Sequence, residues 1–354
     1  MTDIPLTGAP AEMLRRLGKD PRLAYYGGGN FGTPRDLLDL DGSLIVPTAR
    51  FFIRSNGPIP LIEPESYRLT VGGAVERPLS LALADLEGMP QRELTGFLEC
   101  AGNSRTRFEP RPEGTPWRDD AVGAAVWEGV SLAHLLDLAG ARPEGVDLVA
   151  QGGDMPSMQR GLPLAVAREP DVLVALRMNG APLLPAHGFP ARLFVPGWAG
   201  IASTKWLTRL TLLDRPFAGF WNADNYVFWS EAGEPLRPVR EMPPKAVLHA
   251  PRDGESIAAG DIAIVGYAWS GYGAIRTVEV SVDGGETWSE AALESGGRFG
   301  WTRFRYEWQA APGEHLIAAR ATDERGLRQP WRPAWNAKGY QYNGIQTVRV
   351  TAQG

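Results

Sequence analysis

Phe97-Leu98-Glu99-Cys100-Ala101-Gly102-Asn103-Ser104-Arg105 holds the only cysteine among the 354 residues of the chain. An apolar run from Leu94 to Leu98 leads into it, and Gly102-Asn103-Ser104 turns the chain, so the thiol falls at the end of a strand. A lone cysteine is commonly just a small buried hydrophobe. Here Arg105 and Arg107 follow at once. A neighbouring cation lowers a thiol's pKa toward thiolate, the form that acts as a nucleophile or a soft metal ligand. The residue types thus point to a thiolate at a strand end as the centre of a site, with both chemistries open.

Working outward, Arg107 to Asp120 is rich in Pro, Arg and Glu and has no period, which makes it a loop suited to line a site, with Trp117 alone inside it. Before the cysteine, Tyr67 to Val75 alternates as a strand and Leu79 to Leu86 reads as a short helix. Phe51-Phe52-Ile53-Arg54-Ser55-Asn56 ends an apolar run in a basic residue, a hydroxyl and an amide. Residues 1–47 form a mixed amino-terminal extension with an amphipathic piece at Ala11 to Leu17. Gly27-Gly28-Gly29 and Asp39-Leu40-Asp41-Gly42 are turns rather than phosphate or calcium loops, since the flanking strand, helix and ligand positions are missing.

After the cysteine, a helix is expected at Val130 to Leu138, with His134 on its surface face, and a strand at Val146 to Ala150 running into Gln151-Gly152-Gly153-Asp154. A helical turn at Leu162 to Ala167 and strands at Val172 to Met178, Leu193 to Val195 and Leu207 to Leu213 complete a first domain over 48–230. Its helices and strands do not alternate regularly, which argues against a doubly wound nucleotide-binding sheet. A charged, proline-rich linker follows at 231–244. Beyond it, helical patterns vanish. Ala246–Leu248, Ile262–Trp269, Val278–Val282, Phe304–Gln309, Leu316–Ala321 and Thr347–Val350 read as strands, with a hairpin turn at Asp283-Gly284-Gly285. Residues 245–354 are therefore expected to form an immunoglobulin-like sandwich that serves association. The fold class is α+β, a mixed domain followed by an all-β one.

Composition narrows the chemistry. One cysteine excludes an internal disulfide, a four-cysteine zinc site and a cysteine-held iron–sulfur cluster. A net charge of −5 gives no reason to expect nucleic acid. There is no apolar run long enough to span a bilayer, and Met1 to Leu17 lacks a secretory pattern, so a soluble cytoplasmic protein is expected, or a periplasmic one if a leader has been removed. With no Gly-x-Ser-x-Gly elbow and four histidines, hydrolase, zinc and haem sites are poorly supported. His249 and His315 fall in strand patterns, whereas His187 sits in a loop with Arg192 five residues on. Arg54, Arg105, Arg192 and Lys205 all fall at strand ends or adjoining loops, where together they make a basin for phosphate or another oxyanion.

These segments carry a resemblance. Phe52 to Asn56, Glu99 to Arg105, Met178-Asn179-Gly180, His187-Gly188-Phe189-Pro190-Ala191-Arg192 and Val195 to Gly200 with Lys205-Trp206-Leu207 resemble, in order, the sulfite oxidase family of molybdopterin enzymes. Ser281 to Trp288 is similar to that family's dimerisation domain. The resemblance implies molybdenum held by a pterin dithiolene and by the Cys100 thiolate. It also implies cofactor contacts from Phe52, Ile53, Arg54, Ser55, Asn56, Asp154, His187, Arg192, Ser203, Thr204 and Lys205. Arg54 and Arg105 would face a substrate oxyanion, with Trp117 lining the same pocket. The implied reaction is oxidation of sulfite to sulfate by oxygen-atom transfer, in a homodimer. No haem domain is fused to the chain and no Cys-x-x-Cys-His occurs, so a separate acceptor such as a c-type cytochrome would take the electrons.

Three departures bear on the substrate. Met158-Gln159-Arg160-Gly161 stands where family members often carry an active-site tyrosine, Ser55-Asn56 replaces an asparagine–histidine pair, and the second domain offers only Arg298 or Arg303 as a further pocket arginine. A relative acting on a sulfane, nitrate or a sulfoxide is the alternative expectation, and a cofactor-free structural homologue is another.

Overall fold

The computed structural model describes residues 2–38, 42–230 and 234–354. The expected turn at Asp39 to Asp41 and the start of the expected linker, residues 231–233, lie outside the described residues. The first domain holds two five-stranded sheets. In one, Gln159–Pro163, Asp147–Gly152, Leu207–Leu213, Leu69–Gly73 and Leu79–Leu81 lie side by side, with the third and fourth parallel and the other pairs antiparallel. In the other, Ala181–Pro182, Leu173–Met178, Val122–Ser131 and Gln91–Glu99 are antiparallel neighbours, and Arg192–Phe194 also pairs with Leu173–Met178.

Two local expectations shift. Leu79–Leu81 is an edge strand, and the helix begins only at Leu83, where the Asp85 carboxylate accepts from the Ala82 N–H. That contact satisfies a free helix-end donor and sets the start. Gln159–Pro163 is a strand that the short helix Leu164–Ala167 follows; paired with Asp147–Gly152, it owes its form to a neighbour and not to its own sequence period.

The second domain is a β-sandwich. Lys245–Ala250, Gly260–Trp269, Thr302–Ala310 and Ala292–Ser295 form one sheet. Glu255–Ala258, Gln346–Gln353, Gly313–Asp323, Ile275–Ser281 and Ser289–Glu290 form the other. All six expected strands are present, and Asp283 caps the expected hairpin by accepting from the Thr287 N–H. The three further strands, Glu255–Ala258, Ser289–Glu290 and Ala292–Ser295, are short and largely exposed, so they carry little apolar alternation.

The domains share a core. Phe97, Trp117, Trp127 and Phe194 of the first belong to one apolar cluster with Tyr267, Trp269, Trp301 and Tyr340 of the second. A buried ion pair crosses the same boundary: Lys245 Nζ lies 3.3 Å from Glu99 Oε1, and both side chains are 1% exposed. The amino-terminal residues join in too, Met13, Leu14, Leu17 and Phe31 packing into the other large cluster of the first domain.

Candidate active site

Cys100 stands where the strand Gln91–Glu99 ends, buried and unpaired by any disulfide. The segment after it is fixed by polar side chains. Asn103 donates to Glu99 Oε1 (2.8 Å) and accepts from the Ala121 N–H (3.0 Å), while the Cys100 N–H donates to the Ala121 carbonyl (2.9 Å). Ser104 adopts a left-handed φ of 64°, and its hydroxyl bridges Asp119 (2.6 Å) and Lys245 (2.6 Å). Arg107, expected to act on the thiol, pairs instead with Asp119 at 2.6 Å. The cation that faces Cys100 is Arg54: burial works against its charge, but Tyr226 and Cys100 hold its pKa above the ordinary arginine value.

Cys100, Arg54 and Tyr226 line two cavities at once. The first is bounded by Phe52, Ser55, Asn56, Asp154, Arg192, Ser203, Thr204 and Lys205. Of the residues expected to hold a cofactor, Ile53 and His187 do not reach this wall. Ile53 is spent on pairing with Phe31, and the His187 ring lies behind the wall, edge-on to Phe51 and 2.7 Å from Lys19 Nζ. His187 acts through its carbonyl, which accepts from Arg192 Nη1 at 3.1 Å. Gly188, at φ 105°, lets this loop approach Lys205; an added Cβ would come within 3.0 Å of the lysine's own Cβ.

The electrostatics of this wall are unbalanced. Burial pushes Arg192 down to about 9, and Lys205 well below the usual lysine range. Arg192 meets carbonyls of His187 and Ser203, and Lys205 meets the Ser55 hydroxyl (2.7 Å) and the Ala186 carbonyl (3.1 Å). Among the described residues neither forms an ion pair. The Thr204 hydroxyl and Asp154 Oδ1 are buried with no hydrogen-bond partner. Asp154, on the same wall, favours the charge of Lys205 but makes no contact of ion-pair length with it; cations without a direct anionic partner, beside an unsatisfied hydroxyl, are costly unless an anion completes them. This donor set fits the phosphate of a pterin cofactor, and the thiolate-capable Cys100 beside it fits a soft metal. Among the described residues there is no cluster of three or more His, Cys, Asp or Glu side chains that would hold a metal by itself.

The second cavity, ≈ 380 Å³, brings Arg54, Arg105 and Trp117 together with Tyr226, Lys338 and Tyr340. Arg105 is 7% exposed, and its guanidinium donates to the carbonyls of Thr115 (2.7 Å) and Lys338 (3.0 Å). Its side chain passes between Gly102, Gly114 and Gly339, where any Cβ would come within 3.1 Å of it. Trp117 is wholly buried, packs on Tyr26 at 4.7 Å, and has an indole N–H without a partner.

Two tyrosines escaped the sequence reading. Tyr226 lines both cavities, and Met158 lines the first. Tyr226 sits at φ 56° and stacks on Tyr340 of the second domain, with centroids 5.2 Å apart. Tyr340 in turn donates to Asn225 Oδ1 (2.7 Å). Both lie in stretches without strand or helix period, and the Asn225-Tyr226 and Gly339-Tyr340 steps were the only signals. Arg298 and Arg303 do not enter the pocket. Arg298 is 3.7 Å from Glu324, and Arg303 pairs with Glu294 and the Gly42 carbonyl.

Comparisons with known proteins give the family. Residues 56–221 match the oxidoreductase molybdopterin binding domain and residues 237–353 the Mo-co oxidoreductase dimerisation domain. The chain belongs to the sulfite oxidase family of molybdopterin-dependent oxidoreductases. It is 36% identical to sulfite oxidase of Gallus gallus, over 83% of this chain and 70% of that one. It is also 36% identical to the mitochondrial sulfite oxidase of Rattus norvegicus, over 91% of this chain and 64% of that one. The chain thus spans about three fifths of the length of the mammalian relatives it matches. A solved structure of the sulfane dehydrogenase SoxCD from Paracoccus pantotrophus superimposes with a TM-score of 0.81 at 32% identity, over 91% of this chain and 84% of that one.

Proposed function

We propose that the chain oxidises a small sulfur oxyanion, sulfite first, and hands the two electrons to a separate acceptor. The observation that carries this is the shared wall. Cys100 lies between a cavity whose cations Arg192 and Lys205 form no ion pair among the described residues and one in which Arg54, Arg105 and Lys338 converge with two tyrosines. Bound in the first cavity, a molybdenum–pterin group would supply two-electron redox chemistry with oxygen-atom exchange. Arg192, Lys205, Thr204 and Ser55 would hold its phosphate, and Cys100 its metal. On the other side, Arg54 and Arg105 bind the anionic oxygens and turn the sulfur toward Cys100. Arg105 cannot swing, because two carbonyls and three glycines fix it. The Trp117 N–H offers one further donor, and Tyr226 hydrogen-bonds at the boundary between the cavities. The second domain supports assembly as a homodimer.

The test is metal analysis of the native protein followed by sulfite-dependent reduction of ferricyanide. About one molybdenum per chain with sulfite turnover is expected; a loaded protein that does not turn over sulfite would remove this substrate. A sulfane compound is the second reading. It is favoured by the likeness to the sulfane dehydrogenase and by Ser55-Asn56 beside Arg54, which leaves that side of the pocket less cationic than an asparagine–histidine pair would.

A further inference from the structure

The glycine run Gly27-Gly28-Gly29 and the asparagine after it have no part in the chemistry above, and they lie outside both family matches, the first of which begins at residue 56. The backbone sets where they go. Phe31 and Ile53 pair antiparallel and exchange N–H to carbonyl bonds of 2.9 and 2.7 Å, so the residue opposite Arg54 is Asn30. Gly27 at φ 97° and Gly28 at φ 54° fold the chain back in conformations that favour glycine, and the Tyr26 N–H closes the turn on the Asn30 carbonyl at 2.9 Å. Gly29 is seated so close to Ser55 that an added Cβ would lie 3.2 Å from the serine's own.

The Asn30 amide is fixed at both ends. Its Nδ2 donates to the Gly27 carbonyl (2.9 Å), which leaves Oδ1 to accept from Arg54 Nη1 (3.0 Å) and from the Ser55 N–H (3.1 Å). The other side of the turn is anchored as well: the Tyr26 ring packs on Trp117 at 4.7 Å, and its hydroxyl donates to Asp120. The turn is thus held between Trp117 and Arg54, two residues that line the substrate cavity. The type of acceptor matters. Arg54 Nη2 meets a second amide, Asn56 Oδ1, and among the described residues Arg54 forms no ion pair. A carboxylate in either place would hold the guanidinium but cancel its charge, whereas an amide fixes its direction and leaves the charge for an incoming anion.

We propose that Asn30 is a positioning residue for substrate binding: it aims the Arg54 guanidinium at the oxyanion without neutralising it, which makes the amino-terminal turn part of the substrate site. The inference rests on the oxyanion reading above and gives a role to a segment which that reading leaves out.

Steady-state sulfite oxidation by the cofactor-loaded protein, with ferricyanide as acceptor, tests this through a double-mutant cycle. Asn30→Ala should raise KM about tenfold, the lower end for a hydrogen bond to a charged group, with kcat changed less than about twofold. With Arg54→Met already present, Asn30→Ala should raise KM no further, because the residue through which it acts is gone. An equal effect of Asn30→Ala in both backgrounds, or a loss confined to kcat, overturns the proposal and leaves Asn30 a structural residue of the turn. Should near-ultraviolet circular dichroism show Asn30→Ala unfolded, Asn30→Ser takes its place in the same cycle, since serine suits a turn but its shorter side chain does not reach Arg54. Crystal structures of the cofactor-loaded wild type and variant separate this inference from the reading beneath it. An Arg54 guanidinium displaced in the variant supports the positioning role even where the wild type turns over no sulfite, and one left in place overturns it whatever the substrate.

Discussion

Two sets of cations, one in each domain, are handled oppositely. In the sandwich, Arg320 meets Glu279 through hydrogen bonds of 2.8 and 2.9 Å, and Arg305 lies 2.6 Å from Glu307, all at or near the surface. In the first domain, Lys19 and Arg192 are buried and Arg54 and Lys205 partly so, and among the described residues none of the four forms an ion pair. A fold selected for stability alone would not retain such cations, since burial of unpaired charge opposes folding. The contrast separates residues that hold the protein together from residues kept ready for a ligand.

Cys100→Ser should produce the largest effect on the ligand side. Sulfite turnover falls to background and the visible sulfur-to-metal charge-transfer absorption disappears; a variant that keeps both would remove the cysteine from the metal's ligands. Next, Lys245→Met strands the buried Glu99 carboxylate and should cost about 3–5 kcal/mol in urea unfolding. That change sharpens the comparison, because Lys245 is a buried second-domain cation that does have its partner.

Lys205→Met should behave oppositely. Cofactor affinity falls about 10–100-fold, the worth of a charged hydrogen bond of roughly 1.5–3 kcal/mol. The cofactor-free protein, however, is no less stable, since a partly buried charge without an ion-pair partner is gone. If the cofactor-free form loses stability as Lys245→Met does, the contrast between the two lysines breaks. The pH dependence follows from the lowered pKa of Lys205. Its penalty on folding is fully present below that value and fades as pH rises toward 10.5, where the unfolded chain also loses its proton. Any advantage of cofactor-free Lys205→Met over wild type should therefore shrink across this window in urea titrations. Smallest of all, Arg320→Met should cost less than about 1 kcal/mol, as is usual for a pair near the surface.

Much of this was legible in the sequence. The thiol at a strand end comes from a short motif, and Arg54, Arg105 and Trp117, which the family resemblance had brought together, line one cavity. The sandwich was legible because its longer strands alternate and its hairpin carries a turn signature. Tyr226, Tyr340 and Lys338 were not, because each is brought in by packing between segments more than a hundred residues apart, and neither tyrosine's neighbours have any period. His187 shows the reverse error. A loop histidine beside an arginine reads as a ligand, but the fold turns its ring toward Lys19 and presents only its carbonyl to Arg192.

The boundary between the domains bears on how such chains can be recombined. Arg105 is oriented by the Lys338 carbonyl, Glu99 is neutralised by Lys245, and Tyr226 rests on Tyr340. A chimera made by exchanging the second domain for that of a relative would therefore inherit a misplaced Arg105 along with an orphaned carboxylate. Modules of this protein are transferable only as matched sets that carry residues from both sides of the seam.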